Sequence, residues 1–227
     1  MDGFFFIRNT IHGALFYPYF CLAVKPGRYR LFEPSESMEE NELIKRLSGV
    51  ITKHYLPELV ALGETGTLSV TTLHRLCYTP ERSPVAFCAA WVLEYIATRA
   101  PQRFLPVFAA FMARLPDQRN PSCQRHFTKI LMVITGPKAP PAYQEAYATA
   151  DREQLVETVF GWLINPQTPV AVQVNCMDIL FNLTTEFGWI VEELQNQVEF
   201  LLRDGSAALQ SRGRKIIGKL KKLKTAG

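Results

Sequence analysis

The chain lacks the short signatures of the common enzyme classes. No G-x-G-x-x-G, no G-x-x-x-x-G-K-[ST], no H-E-x-x-H and no G-x-S-x-G occurs in its 227 residues. Each motif needs its residues at fixed spacing, so these absences exclude the usual dinucleotide, nucleotide, zinc-protease and hydrolase sites. Cysteine is scarce: the five are Cys21, Cys77, Cys88, Cys123 and Cys176, odd in number and without a C-x-x-C pair. That excludes a disulfide framework and predicts buried thiols in a reducing, cytoplasmic setting. His54 and His74 have no ligand spacing to each other or to the cysteines, so neither a metal nor another cofactor is expected. With only 13 glycines and a 48% hydrophobic composition, the chain is neither fibrous nor disordered. Net charge is a mild +4, too little to demand a nucleic-acid partner.

Aromatic residues are unevenly spread. Nine of the 26 fall in residues 1–37, together with Pro18, Pro26 and Pro34, and that stretch keeps no period of 2 or 3.6. A membrane anchor is opposed by Arg8, His12, Gly13 and Pro18, which interrupt Phe4 to Val24; a spanning helix wants about 20 apolar residues. A secretory signal is opposed by Asp2 beside Arg8 and by the lack of a small-x-small cleavage site. The expectation is that residues 1–37 are an atypical extension upstream of a start at Met38, with an anchor or a docked extension as alternatives. Residues 38–227 are then one domain, with no membrane association expected.

That domain reads as helix throughout. Glu39, Glu40 and Glu42 open the first segment at the positive end of a helix dipole. Ser83-Pro84, Asn120-Pro121 and Thr168-Pro169 each introduce a segment of helical period, and Ser206 introduces a fourth. A polar cap accepts from the free first-turn N–H groups, and proline just inside loses no hydrogen bond. The caps are 37, 48 and 38 residues apart, close to the roughly 40-residue period of helical-hairpin repeats. The longest interval contains Pro137, Pro140 and Pro141, which predicts an inserted loop with a short helix. Residues 67–78 are β-branched, yet Val70, Leu73, Leu76 and Cys77 fit a helical stripe better. The last segment sets Leu209, Ile216, Ile217, Leu220 and Leu223 on one stripe.

The runs PVAFCAAWVLEYI, PVAVQVNCMDILFNL and GSAALQSRGRKIIGKLKKL resemble HEAT-like repeats of the armadillo type, in particular those of short bacterial proteins made of little else. The resemblance covers residues 83–224 and, more weakly, 39–78. It implies an all-α, right-handed α-α superhelix, a solenoid of four to five hairpins, and a non-catalytic scaffold that offers a concave face to a protein partner. Stacked hairpins bury one another's apolar faces and align equivalent helices. Polar positions on those helices are then candidates for a ladder across that face: Arg125, His126 and Lys129; Asn175, Asp178 and Asn182; Arg212, Arg214, Lys215 and Lys219.

Two chemical alternatives compete with that scaffold. Cys123 and His126 are three apart and share a helical face, which invites a thiolate–imidazole pair, but no oxyanion site or orienting group accompanies them. The runner-up function is a nucleic-acid-binding or DNA-repair HEAT-like protein that uses the basic C-terminal end. Residues 1–37 contribute +1 and residues 205–227 contribute +7, which leaves residues 38–204 at −4. A protein that draws its affinity from phosphates wants basic surface along its whole track.

Overall fold

The computed structural model describes residues 38–48, 58, 61 and 67–226. The aromatic segment 1–37, Cys21 and His54 lie outside the described residues. Ten α-helices are present among those described, with no strand. In chain order they are α1 (Glu40–Ser48), α2 (Val70–Leu76), α3 (Ser83–Arg99), α4 (Pro101–Ala113), α5 (Pro121–Ile134), α6 (Pro141–Ala148), α7 (Arg152–Ile164), α8 (Val170–Leu183), α9 (Ile190–Leu201) and α10 (Ala207–Ala226). Single 3-10 turns at Pro80–Arg82 and Leu115–Asp117 precede α3 and follow α4.

The β-branched segment is helical because Ser69 accepts from the Thr72 N–H at 3.2 Å, while Val70, Leu73 and Leu76 all bury. Asn120 caps α5 through Ser122 N–H, and Asp151 caps α7 through Gln154 N–H, each at 2.9 Å. Two expected caps are realised differently. Pro169, not Thr168, holds the N-cap position of α8, with extended torsions and no side-chain cap bond, and Thr168 is buried instead. Ser83 begins as part of α3, and its hydroxyl accepts from the Asn120 side chain at 3.3 Å. The two recurring cap residues therefore touch each other across successive units.

α3, α5, α8 and α10 form a row in which each packs on the next, and α1 also packs on α3. Helices of a second row back it: α2 and α4 lean on α3, α7 and α9 lean on α8, and α9 also meets α10. A helix with neighbours on several sides must be apolar nearly all round. α3 meets this by burying Val85, Ala86, Cys88, Ala89, Ala90, Val92, Leu93, Ile96 and Ala97. Its alanines let the neighbouring helices approach closely.

The inserted stretch supplies core as well as connection. Tyr143 of α6 is fully buried, meets Phe104 edge-on at 6.0 Å and Phe108 at 5.8 Å, and donates its hydroxyl to the Ala97 carbonyl at 2.5 Å. At the other end, Gly213 is buried where a Cβ would stand 3.0 Å from both Val198 and Leu202, so its lack of a side chain seats α10 on α9. Leu209, Ile216 and Leu220 bury along α10. Leu223 does not: it is exposed in the last turn of α10, where the neighbouring Lys224 donates from Nζ to Gln195 of α9 at 2.8 Å.

Candidate interaction face

Three joints hold the first-row helices side by side. Between α3 and α5, Glu94 accepts from the His126 ring at Nδ1 (2.5 Å) and from Lys129 Nζ (3.0 Å). The His126 ring also lies 5.2 Å from Phe87 and stacks on Trp91 at 6.1 Å, and its Nε2 is buried without a partner. Between α5 and α8, Asn175 donates to the Thr128 hydroxyl (2.9 Å) and Asn182 to the Thr135 hydroxyl (3.3 Å). Between α8 and α10, Arg212 approaches Asp178 at 3.2 Å, and Lys219 Nζ sits 4.8 Å from the centre of the Phe181 ring. Burial raises the Asp178 carboxyl above its ordinary range, and Arg212 and Lys219 oppose that rise.

The pairings ascend together along each pair of helices: 83 with 120 and 94 with 126, then 128 with 175 and 135 with 182, then 178 with 212 and 181 with 219. Successive first-row helices are therefore parallel, as equivalent elements of a repeat must be.

Each candidate from the sequence has a definite place. His126, Asp178, Asn175 and Asn182 are turned into the joints, and Lys129 and Arg212 reach them from the rim. Arg125 is exposed and has no ion-pair partner among the described residues. Arg214 bonds Gln210 in its own helix at 3.1 Å, Lys215 is exposed, and Lys219 covers Phe181. The joints thus take up much of the ladder. What they leave is a set of half-buried apolar residues on the same helices, Phe87 and Trp91 on α3, Met132 and Val133 on α5 and Val174 on α8, and two exposed cations, Arg125 on α5 and Lys215 on α10.

Sequence reasoning did not single out Glu94, Thr128, Thr135 or Phe181. For Glu94 a signal exists: it is the only acid in α3, as Asp178 is in α8. A lone carboxylate in an otherwise apolar helix must find a cation or a donor, because burying it unpaired is costly.

Thiol chemistry at Cys123 is not supported by its surroundings. Cys123 is fully buried and its thiol is pushed up to about 12 by burial, while His126 turns to Glu94 instead. Cys88 rises to about 11, and Cys77 and Cys176 also rise, all through burial. Thiols so far from ionising are poor nucleophiles. Among the described residues no group of three or more His, Cys, Asp or Glu could hold a metal ion. Gly213, Gly218 and Lys219 repeat most of the spacing of a phosphate loop, but Leu220 replaces the hydroxyl residue and the stretch lies inside α10.

Parallel helices joined side by side, with a second row behind them, define a helical-hairpin repeat protein. The model of the HEAT repeat domain matches residues 43–220, and the chain belongs to that family. No curated protein and no solved structure gives a significant match. HEAT repeats generally serve as interaction scaffolds, and no helix among the described residues is long and apolar enough to cross a membrane.

Proposed function

We propose that the chain is a non-catalytic scaffold, a right-handed solenoid of HEAT-like hairpins whose α3–α5–α8–α10 face is concave and receives a protein partner. One observation carries the reading: every joint between successive first-row helices is fixed by polar or cation–π contacts as well as by packing. A surface fixed before its partner arrives loses less freedom on binding, and this is what a scaffold requires. Half-buried apolar residues and the exposed Arg125 and Lys215 on these helices suit a partner segment with apolar anchors and acidic flanks. We place the chain in the cytoplasm, supported by four buried cysteines that are all free among the described residues.

The test is a pull-down from the native cell extract, with and without nuclease, using the wild-type chain and a Trp91→Ala, Arg125→Glu double variant. A protein partner that survives nuclease and no longer binds the double variant supports the scaffold. Loss of all binding after nuclease overturns it in favour of a nucleic-acid-binding HEAT protein.

A further inference from the structure

Away from that face, a cavity of about 480 Å³ opens between the start of α5 and the end of α7. Three of its lining residues, Gln124, Trp162 and Thr168, are each only 7% exposed. The Trp162 indole N–H and the Thr168 hydroxyl make no hydrogen bond within the described residues, and neither is a buried orphan, so both stay accessible to solvent or to a ligand. Gln124 commits its amide N–H to the Gln118 carbonyl at 2.9 Å and keeps its oxygen free. An indole N–H can only donate, so a ligand that uses it must offer an acceptor. Arg119 lines the cavity as an exposed cation without an ion-pair partner among the described residues, and no acidic side chain lines it. Pro116 and Pro121 add apolar wall. Above Gly161 the space is open, since a Cβ there would meet nothing within 4 Å.

We propose that this cavity binds a small organic anion. Its carboxylate or phosphate head lies on the Arg119 fork, within reach of the Trp162 and Thr168 donors, and its apolar body rests against the indole and the two prolines. A planar guanidinium takes either oxyanion in a bidentate grip. Neither the scaffold reading nor its partner is needed for this site, so the two proposals stand or fall separately.

The test follows the Trp162 indole N–H by two-dimensional nitrogen–proton NMR on the full chain, assigned with Trp162→Phe. Benzoate and phenyl phosphate serve as probes, and inorganic phosphate serves as a head without a body. A saturable shift of the Trp162 resonance is expected with one or both aromatic probes. Whichever binds tells carboxylate from phosphate. Arg119→Gln should weaken binding by about tenfold or more, as removal of a charge-assisted hydrogen bond does. Gly161→Phe fills the cavity from an exposed position and should abolish the shift with the melting temperature retained. The proposal is overturned if no probe shifts Trp162, if inorganic phosphate binds as well as phenyl phosphate, or if Arg119→Gln leaves the affinity unchanged.

Discussion

The described chain has two halves with different interiors. From α2 to α6 the core is built on rings: Phe111 lies 4.8 Å from Phe127 and 5.2 Å from Phe104, Tyr78 meets Phe127 edge-on at 5.9 Å, and Tyr143 closes the group from α6. From α7 to α10 the core is mostly aliphatic, with Leu155, Val159, Ile179, Leu180, Leu194, Val198, Ile216 and Leu220 buried beside a single buried ring, Trp162. The other rings there lie further out: Trp189 and Phe200 are more than half exposed, and Trp189 stacks on the half-buried Phe160 at 5.7 Å. The same hairpin packing thus tolerates two kinds of filling. Rings reach across several helices and interlock by geometry. Aliphatic side chains fill by volume and leave more room for exchange.

The sharpest way to break that comparison is to remove a ring. Phe127 is fully buried among Phe111 and Tyr78, and Phe127→Ala should cost about 3–5 kcal/mol in urea unfolding, as large aromatic deletions do. Leu180→Met, volume-conserving in the aliphatic half, should cost less than about 1.5 kcal/mol. Equal costs would mean that the two interiors do not differ in how tightly they specify their contents.

The aromatic half also carries a pH liability. His74 is buried against Tyr78 and Phe111, and desolvation, aided by the Arg114 charge, lowers its pKa from 6.5 to about 4. The fold therefore holds the ring neutral, while the unfolded chain takes up a proton below 6.5. Stability should fall as pH drops from about 6.5 towards 4, by up to about 3 kcal/mol from this residue. Burial of Asp178, raised above its usual range, acts in the opposite sense lower in that range. Urea midpoints of the wild type and His74→Met across pH 4 to 7 check this: the variant should lose the steepest part of the slope.

The row of parallel helices was legible in the sequence because each helix had to be apolar on the side that meets its neighbours and had a recurring start. The joints were legible by half. His126, Lys129, Asn175, Asn182, Asp178 and Arg212 stood out as polar positions, but their partners lie 32 to 47 residues away. No local period links residues that far apart. Thr168 misled because a hydroxyl before proline looks like a cap, while its buried position lets Pro169 take that role. Leu223 misled because helical spacing says which face a residue shares, and not whether a neighbour covers that face at the last turn. The cavity left no mark at all, since its walls come from separate elements.

A joint in the aromatic half tests what such contacts contribute. Glu94→Ala leaves His126 and Lys129 without their shared acceptor, and the penalty for a buried donor left unpaired is about 1–3 kcal/mol. Removing His126 as well should recover part of that loss, which a double-mutant cycle would measure. Additive losses would show that the α3–α5 joint rests on apolar packing alone.

The smallest effect is expected at the far end of the aliphatic half, on α10. Seven lysine and arginine residues lie there, and several are occupied within the chain: Arg212 on Asp178, Arg214 on Gln210, Lys219 on Phe181 and Lys224 on Gln195. Lys221 and Lys222 are exposed, on a helix that buries Leu209, Ile216 and Leu220. Cations near a helix C-terminus gain at most about 0.3–1 kcal/mol each from the dipole, and screening by salt reduces that gain. Changing Lys221, Lys222 and Lys224 together to Gln should therefore move the unfolding free energy by less than about 1 kcal/mol, even though the bond from residue 224 to Gln195 is broken. The same variant separates two roles for this end of the molecule. A solubilising cap predicts unchanged binding to the protein partner and no salt-sensitive binding to DNA or RNA in either form. Salt-sensitive nucleic-acid binding by the wild type that vanishes in the variant would instead make the aliphatic half the working end, with α10 as its contact.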